Sequence, residues 1–230
     1  MIENRTVSVV ITTYHPARRA GLDTILRKWL ANPVEEVWVL DGSGQFKSTV
    51  SDPRLLVFNM PKDLGPGMDY AMAALTQGDL VVLADDDVLP GPGLVAEMAD
   101  GWAKTGRGLV GLIGRTFHGP LYKGDTKFYA ARNVDEPVRV GFVGVVILAE
   151  RSYLGFDVRG LTRNADDLFW QMQVFPKVGK WVAPAKDYLN TPEASDNCSA
   201  MYRTLALKEE RQAYYEKWWR QNYEPTGATV

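Results

Sequence analysis

The sequence predicts one α/β domain, with a mostly parallel central sheet flanked by helices and a helical region at the C-terminal end. Three observations lead there. Short β-branched runs alternate with stretches of helical periodicity through the first 90 residues. Each run ends in a turn rich in Asp, Gly, Ser or Pro, and strand–helix alternation of this kind builds parallel sheets. No low-complexity stretch or long linker divides the 230 residues, 46% of them hydrophobic, so a single core is expected over 1–230.

The elements follow in order. Val7 to Ile11 is a buried strand, and Thr12 to Pro16 is the loop leaving it. Leu22, Ile25, Leu26, Trp29 and Leu30 recur at helical spacing until Asn32-Pro33 stops the helix. Glu36 to Leu40 is a second strand, ending at Asp41-Gly42-Ser43-Gly44. Leu55 to Phe58 is a third, followed by a loop from Asn59 to Gly67. Met68 to Leu75 reads as a helix ended by Gln77-Gly78-Asp79, and Leu80 to Ala84 as a strand closing on Asp85-Asp86-Asp87. Beyond residue 90 the pattern loosens. Leu94 to Trp102 is a helix and Gly108 to Gly114 a strand. Thr116 to Ala131 is a polar, aromatic loop or hairpin, and Val138 to Leu148 a long strand broken by Gly141 and Gly144. Asp166 to Val174 is a short helix, and Met201 to Tyr223 a final amphipathic helix or pair of helices.

Composition excludes several classes. A net charge of −2 provides no basic field for nucleic acid. One cysteine, Cys198, leaves no partner for an intrachain disulfide and no thiolate metal cluster. No apolar run approaches the roughly 18–20 residues that span a bilayer. A cytoplasmic protein without a membrane span is therefore expected.

The acidic triplet carries the most chemistry. Three adjacent carboxylates after a buried strand repel one another and call for a cation. Residues two apart in an extended segment point to the same side. Asp85 and Asp87 are thus placed to share a hard ion, Mn²⁺ or Mg²⁺, while Asp86 points elsewhere. The ordinary alternative is a solvated acidic turn. Ligands of open parallel sheets sit at the carboxyl ends of strands, where Asp41 and the triplet both fall.

Three motifs in order along the first half resemble the nucleotide-binding half of the GT-A (Rossmann-like) glycosyltransferases of the family-2 type. They are Val9-Val10-Ile11-Thr12-Thr13-Tyr14, Val37-Trp38-Val39-Leu40-Asp41-Gly42-Ser43, and the stretch from Gly78 to Asp87, which looks like the approach to a DxD motif. The second half resembles the exostosin-type transferases (α-N-acetylhexosaminyltransferases), through Gly111-Leu112-Ile113-Gly114-Arg115, Val140 to Leu148 and Asn164-Ala165-Asp166-Asp167. The usual Asn-Cys-Glu-Asp of that group is here Asn-Ala-Asp-Asp, so its Cys and Glu are replaced. The resemblance implies a nucleotide-binding half over about 1–90, an acceptor and catalytic half over about 91–200, and a helical region over about 201–230.

It also implies roles. Asp87 is the chief metal ligand, with Asp85 in support, and the metal acts as Lewis acid on a departing diphosphate. Asp86 accepts from sugar or ribose hydroxyls. Thr12 and Tyr14 border the base, and Asp41 accepts from a base N–H, with an Asx-turn as its alternative. Arg18 or Arg19 reaches the phosphates. Asp63, Gly65 and Asp69 line the nucleotide pocket, and Arg203 is a C-terminal phosphate clamp. A late histidine ligand is lacking, with Asp196 as a substitute. Of the acidic pair, Asp167 is the catalytic acid and Asp166 binds acceptor. The pair could also merely cap a helix. The donor expected is a UDP-sugar and the acceptor a glycan, small alcohol, protein or hydroxylated nucleobase. Inversion makes one of the pair a general base, whereas retention makes the second acid a nucleophile or cation stabiliser.

A haloacid-dehalogenase-type phosphotransferase also places DxD after a strand, but wants Thr or Val where Leu89 stands. A sugar nucleotidylyltransferase wants a glycine-rich basic loop where Thr12 to Pro16 has no glycine. A non-catalytic nucleotide-sugar or protein-binding module is the third alternative. Tyr214, Tyr215, Trp218 and Trp219 read first as helix packing, and His15 and His118 as loop residues.

Overall fold

Four strands of the first half, β1 (Val7–Thr13), β2 (Glu36–Asp41), β3 (Leu55–Asn59) and β4 (Leu80–Asp85), pair in parallel in the order β3-β2-β1-β4. The structure, a computed structural model, describes residues 4–61, 67–121, 124, 126–156, 166–174, 178–190 and 205–222. β1, β2 and β4 are buried along nearly their whole length, because their unbroken apolar runs are covered on both faces. Helix α1 (Pro16–Leu30) buries the five residues that recur at helical spacing. Pro16 begins it, and the His15 side chain caps it by accepting from the Ala17 N–H at 3.3 Å. Helix α2 (Met68–Ala73) is shorter than the expected Met68 to Leu75.

At the amino ends of the strands a buried carboxylate, Glu36, ties the sheet together. It accepts from the Ser8 hydroxyl at 2.8 Å, the Trp38 indole at 2.7 Å and the Gln77 N–H at 2.6 Å. A Cβ on Gly78 would stand 2.5 Å from the Ser8 nitrogen, so this turn admits glycine alone. The opposite rim is left open for a site.

The second half adds β5 (Val88–Pro90), α3 (Leu94–Lys104), β6 (Leu109–Phe117), β7 (Thr126–Ala130), β8 (Val138–Val140), β9 (Phe142–Glu150), α4 (Asp166–Val174), β10 (Lys180–Val182), β11 (Tyr188–Asn190) and α5 (Leu205–Asn222). The sheet continues β4-β9-β6-β10-β8, with β7 on β6, while β5 and β11 form a separate ribbon. β1 to β4, β6 and β10 run one way; β7, β8 and β9 run the other. The sheet is mostly parallel in strand direction, and every antiparallel pair involves a strand of the second half, β9 against β4 included.

Two expectations change here. The single strand over Val138 to Leu148 is two strands. The chain turns at Gly141, where a Cβ would fall 2.6 Å from the Phe117 ring. β8 then pairs with β10, and β9 inserts between β4 and β6. Gly144 lies where the β6–β9 register shifts, beside Val145 at φ +71°, which marks a bulge rather than a break. The polar aromatic stretch resolves into the β6–β7 hairpin. Among the described residues, no helix is long and apolar enough to cross a membrane.

Lys180 on β10 is 1% exposed. Burial, with the Arg139 charge adding to it, pulls its ammonium down to about 7. The folded chain therefore binds fewer protons here than the unfolded chain between about pH 7 and 10, and stability rises with pH across that window. Lys180→Met should raise the midpoint of thermal unfolding at pH 7 by about 5 °C and flatten its rise towards pH 9. Equal slopes for the two proteins between pH 7 and 9 would refute this.

Candidate active site

The carboxyl ends of β1, β2 and β4 meet on one rim. Register places Thr12 opposite Asp85 and Thr13 opposite Asp41. Asp85 ends β4 with its side chain open to solvent. Asp86 turns inward, 6% exposed, and accepts from the Thr13 hydroxyl at 2.7 Å and from Arg18 at 2.7 Å. Arg18 also stands 3.0 Å from Asp87. The strand ends at Asp85, and Asp86 and Asp87 lie in the turn after it, where both meet Arg18, so the triplet divides differently from the expected roles. Asp86 is anchored within the protein rather than presented to a sugar. Asp87 is already paired, so the more open acid is Asp85. Arg18 serves the triplet rather than facing phosphates, and Arg19 donates to the Ser43 hydroxyl at 2.7 Å.

Asp41 also departs from expectation. It is 0% exposed, and its two oxygens accept from the N–H groups of Ser43, Gln45 and Phe46 and from the Ser43 hydroxyl. A contact to a base would have to break these bonds, so this geometry makes Asp41 a turn residue. Burial alone would raise its pKa, but the Ser43 hydroxyl and the three N–H groups outweigh it and hold the carboxyl below its ordinary value. Tyr14, 37% exposed at the end of β1, presents an open ring edge-on to His15.

Facing the triplet, α2 and α4 bring a second set of acids. Asp69 and Tyr70 come from α2, Asp166 and Asp167 from the first turn of α4. Tyr70 packs on Trp170, ring centres 4.9 Å apart, and its hydroxyl hydrogen-bonds Asp166. Asp85 is exposed and Asp69 and Asp166 are half-buried, although protein surrounds each on most sides. Burial, with Asp166 and Asp85 nearby, pushes Asp69 well up. Burial, then Asp87 and Asp86, does the same to Asp85. Burial and the charge of Asp167 raise Asp166 to about 7, against the opposing pull of Arg211. Such crowding of like charge is characteristic of functional sites.

α5 closes the far side. Arg211 binds both oxygens of Asp167, at 2.7 and 3.0 Å, and lies over the Phe142 ring. Tyr215 and Trp218 join Phe142 and Leu168 in a second, smaller core, so the C-terminal aromatics are packing residues. Gln171 of α4 accepts from the N–H and donates to the carbonyl of Val143 on β9. β4 last pairs β9 at Val146, so past its end this side chain supplies the missing strand partner. Asp63, Gly65, Asn164, Asp196 and Arg203 lie outside the described residues. His118 bonds Thr116 in the hairpin, 3.1 Å away.

Sequence reasoning missed Tyr70 and Arg211. Arg211 stands four residues before Tyr215 and seven before Trp218, on the face of α5 that the aromatic stripe marks as buried. That spacing was the available signal.

The donor set suits a hard cation in part. Among the described residues, no three His, Cys, Asp or Glu side chains converge closely enough to hold a metal alone. Mg²⁺ and Mn²⁺ sites in nucleotide enzymes use one or two carboxylates and take their remaining ligands from phosphate and water. Asp85 and Asp87 meet that smaller requirement. Thr12, opposite Asp85 in register, has a buried hydroxyl without a hydrogen-bond partner, and so has the Nε of Arg18, whose Nη1 pairs with Asp86 and Asp87.

No family profile and no curated protein matches the sequence. Solved structures do match the fold. S. aureus TarS, residues 1–349, superposes with a TM-score of 0.56 at 15% identity, over 96% of this chain and 74% of that one. The chain has the GT-A fold. The same TarS fragment in complex with UDP matches at a TM-score of 0.56 and 15% identity, over 80% of this chain and 59% of that one. At this identity the likeness concerns the GT-A fold, and it reaches the second half without distinguishing an exostosin-like one.

Proposed function

We propose that the protein is a metal-assisted glycosyltransferase that moves a sugar from a UDP-sugar to an acceptor hydroxyl with inversion. The observation that carries this reading is the pairing of two acid groups: the open Asp85 beside Asp87, and Asp166 held near neutrality opposite them. The GT-A fold, and the TarS structure solved with UDP, support the donor class.

Asp85 and Asp87 would hold Mn²⁺ or Mg²⁺, which when bound supplies the positive charge that neutralises a departing diphosphate. The Thr12 hydroxyl, opposite Asp85 in the β1–β4 register, is a donor without a partner on that rim. Tyr14 offers its exposed ring to the base. Asp166, about 7, is a carboxylate basic enough to take a proton from a hydroxyl near neutral pH. Turnover should therefore rise with pH through about 7, because protonated Asp166 cannot accept.

Retention through Asp167, which the exostosin-like order suggests, is the lesser reading. A carboxylate tied by two bonds to a guanidinium makes a poor nucleophile. The acceptor class stays broad (glycan, small alcohol, protein or hydroxylated base), and the charge of −2 counts against nucleic acid.

Calorimetry with UDP, with and without Mn²⁺, tests the donor half. Binding should strengthen at least about tenfold with Mn²⁺, and Asp85→Asn should remove that gain, since it takes away one of only two carboxylate ligands. A protein that binds no UDP with either metal is not a transferase of this kind.

A further inference from the structure

The acidic pair on α4 is not symmetric, and the asymmetry comes from α5. Arg211 meets Asp167 through two parallel N–H···O bonds, at 2.7 and 3.0 Å, the most directional form an ion pair takes. The guanidinium is 16% exposed and the Asp167 side chain 26%. Three further contacts hold its helix at this place. Tyr215 donates to the Gly119 carbonyl at 2.8 Å, Gln212 donates to the Pro120 carbonyl at 3.0 Å, and the Tyr215 ring stacks on Phe117 with centres 4.4 Å apart. One face of α5 thus grips both the start of α4 and the end of β6.

We propose that Arg211 is a positioning residue for the transfer step: it holds and neutralises Asp167, leaving Asp166 as the carboxylate free to accept the proton. This rests on the function proposed above. The groups facing Asp166 are Asp69 and Tyr70 from α2, Asp167 beside it, Arg211 from α5, and Asp85 through Asp69. Of these described groups all but Tyr70 and Arg211 are acids, and Arg211 brings the positive charge. Without it, the unscreened Asp167 would press Asp166 further towards its protonated form. The device lets one of two adjacent acids work while the other keeps its place.

The test reads protonation directly and needs no acceptor. Protein carrying ¹³C-labelled aspartate is titrated by NMR, with the Asp166 signal assigned by its loss in Asp166→Asn. In the unsubstituted protein, one carboxyl should titrate near pH 7. Arg211→Met should move that midpoint upward by a unit or more, and Arg211→Lys should restore most of it. Asp167→Asn keeps the shape and removes the neighbouring charge, so the same midpoint should fall. That second variant decides the matter if Arg211→Met does not fold. A midpoint unmoved in both Arg211→Met and Asp167→Asn overturns the proposal. UDP calorimetry on the same proteins separates the two readings: bound UDP with unmoved midpoints rejects the role of Arg211 alone, whereas no bound UDP rejects the transferase reading itself.

Discussion

Asp166→Asn is expected to lower sugar transfer by a factor of about 10²–10⁴, the usual contribution of a positioned general base, while leaving UDP affinity unchanged. The amide keeps the shape of the side chain and the bond to Tyr70 but cannot take a proton. Burial and the charge of Asp167 put Asp166 near 7, so the rate of the unsubstituted protein should climb across neutrality and the residual rate of the variant should not. Release of UDP from a UDP-sugar, followed from pH 5.5 to 8.5, measures both. Asp167→Asn provides the contrast, because its charge is already committed to Arg211. Should Asp167→Asn lose all activity while Asp166→Asn keeps most of its own, the two roles are reversed.

Asp41→Ala is expected to have the largest effect on stability. It strips acceptors from three N–H groups and one hydroxyl in the turn after β2. A buried donor left without a partner costs about 1–3 kcal/mol, and even partial rehydration should leave a loss of about 3 kcal/mol. For a chain of this size that lowers the unfolding midpoint by about 5–10 °C. The pH dependence has a definite sign. The folded carboxyl sits below its unfolded value of about 3.9, so its contribution is complete above that pH and is lost as pH falls through the folded value. The gap between Asp41→Ala and the unsubstituted protein should therefore narrow below about pH 4. If Asp41→Ala unfolds normally but no longer binds UDP, Asp41 is a nucleotide ligand after all.

The two variants bear on residues of different legibility. Strand β4 and the start of α4 were readable because local pattern determines them: an apolar run closed by acids, and a helical repeat behind an acidic pair. Strand alternation set Asp86 apart from Asp85 and Asp87, but the strand stops at Asp85 and the turn brings Asp86 and Asp87 together on Arg18. What each acid is paired with was not readable. Arg18 lies 68 residues from Asp86, and Arg211 lies 44 from Asp167. Nothing in either local segment reveals the partner.

The same division runs through the fold. The parallel pairing of β1 with β2 follows from strand–helix alternation, since α1 carries the chain across between them; β3 joins β2 without a helix, and β4 returns beside β1 after α2. The insertion of antiparallel β9 between β4 and β6 does not follow from that pattern, because two glycines in an apolar run mark a break without saying what fills it. Periodicity, turn chemistry and motif order determined that this chain is an α/β protein with an acid-lined rim resembling a sugar-nucleotide site. Only the tertiary structure decided which acids stay open, which are neutralised, and that the last helix reaches back to hold one of them. Secondary structure is set by neighbours along the chain, whereas a carboxylate's protonation is set by neighbours in space.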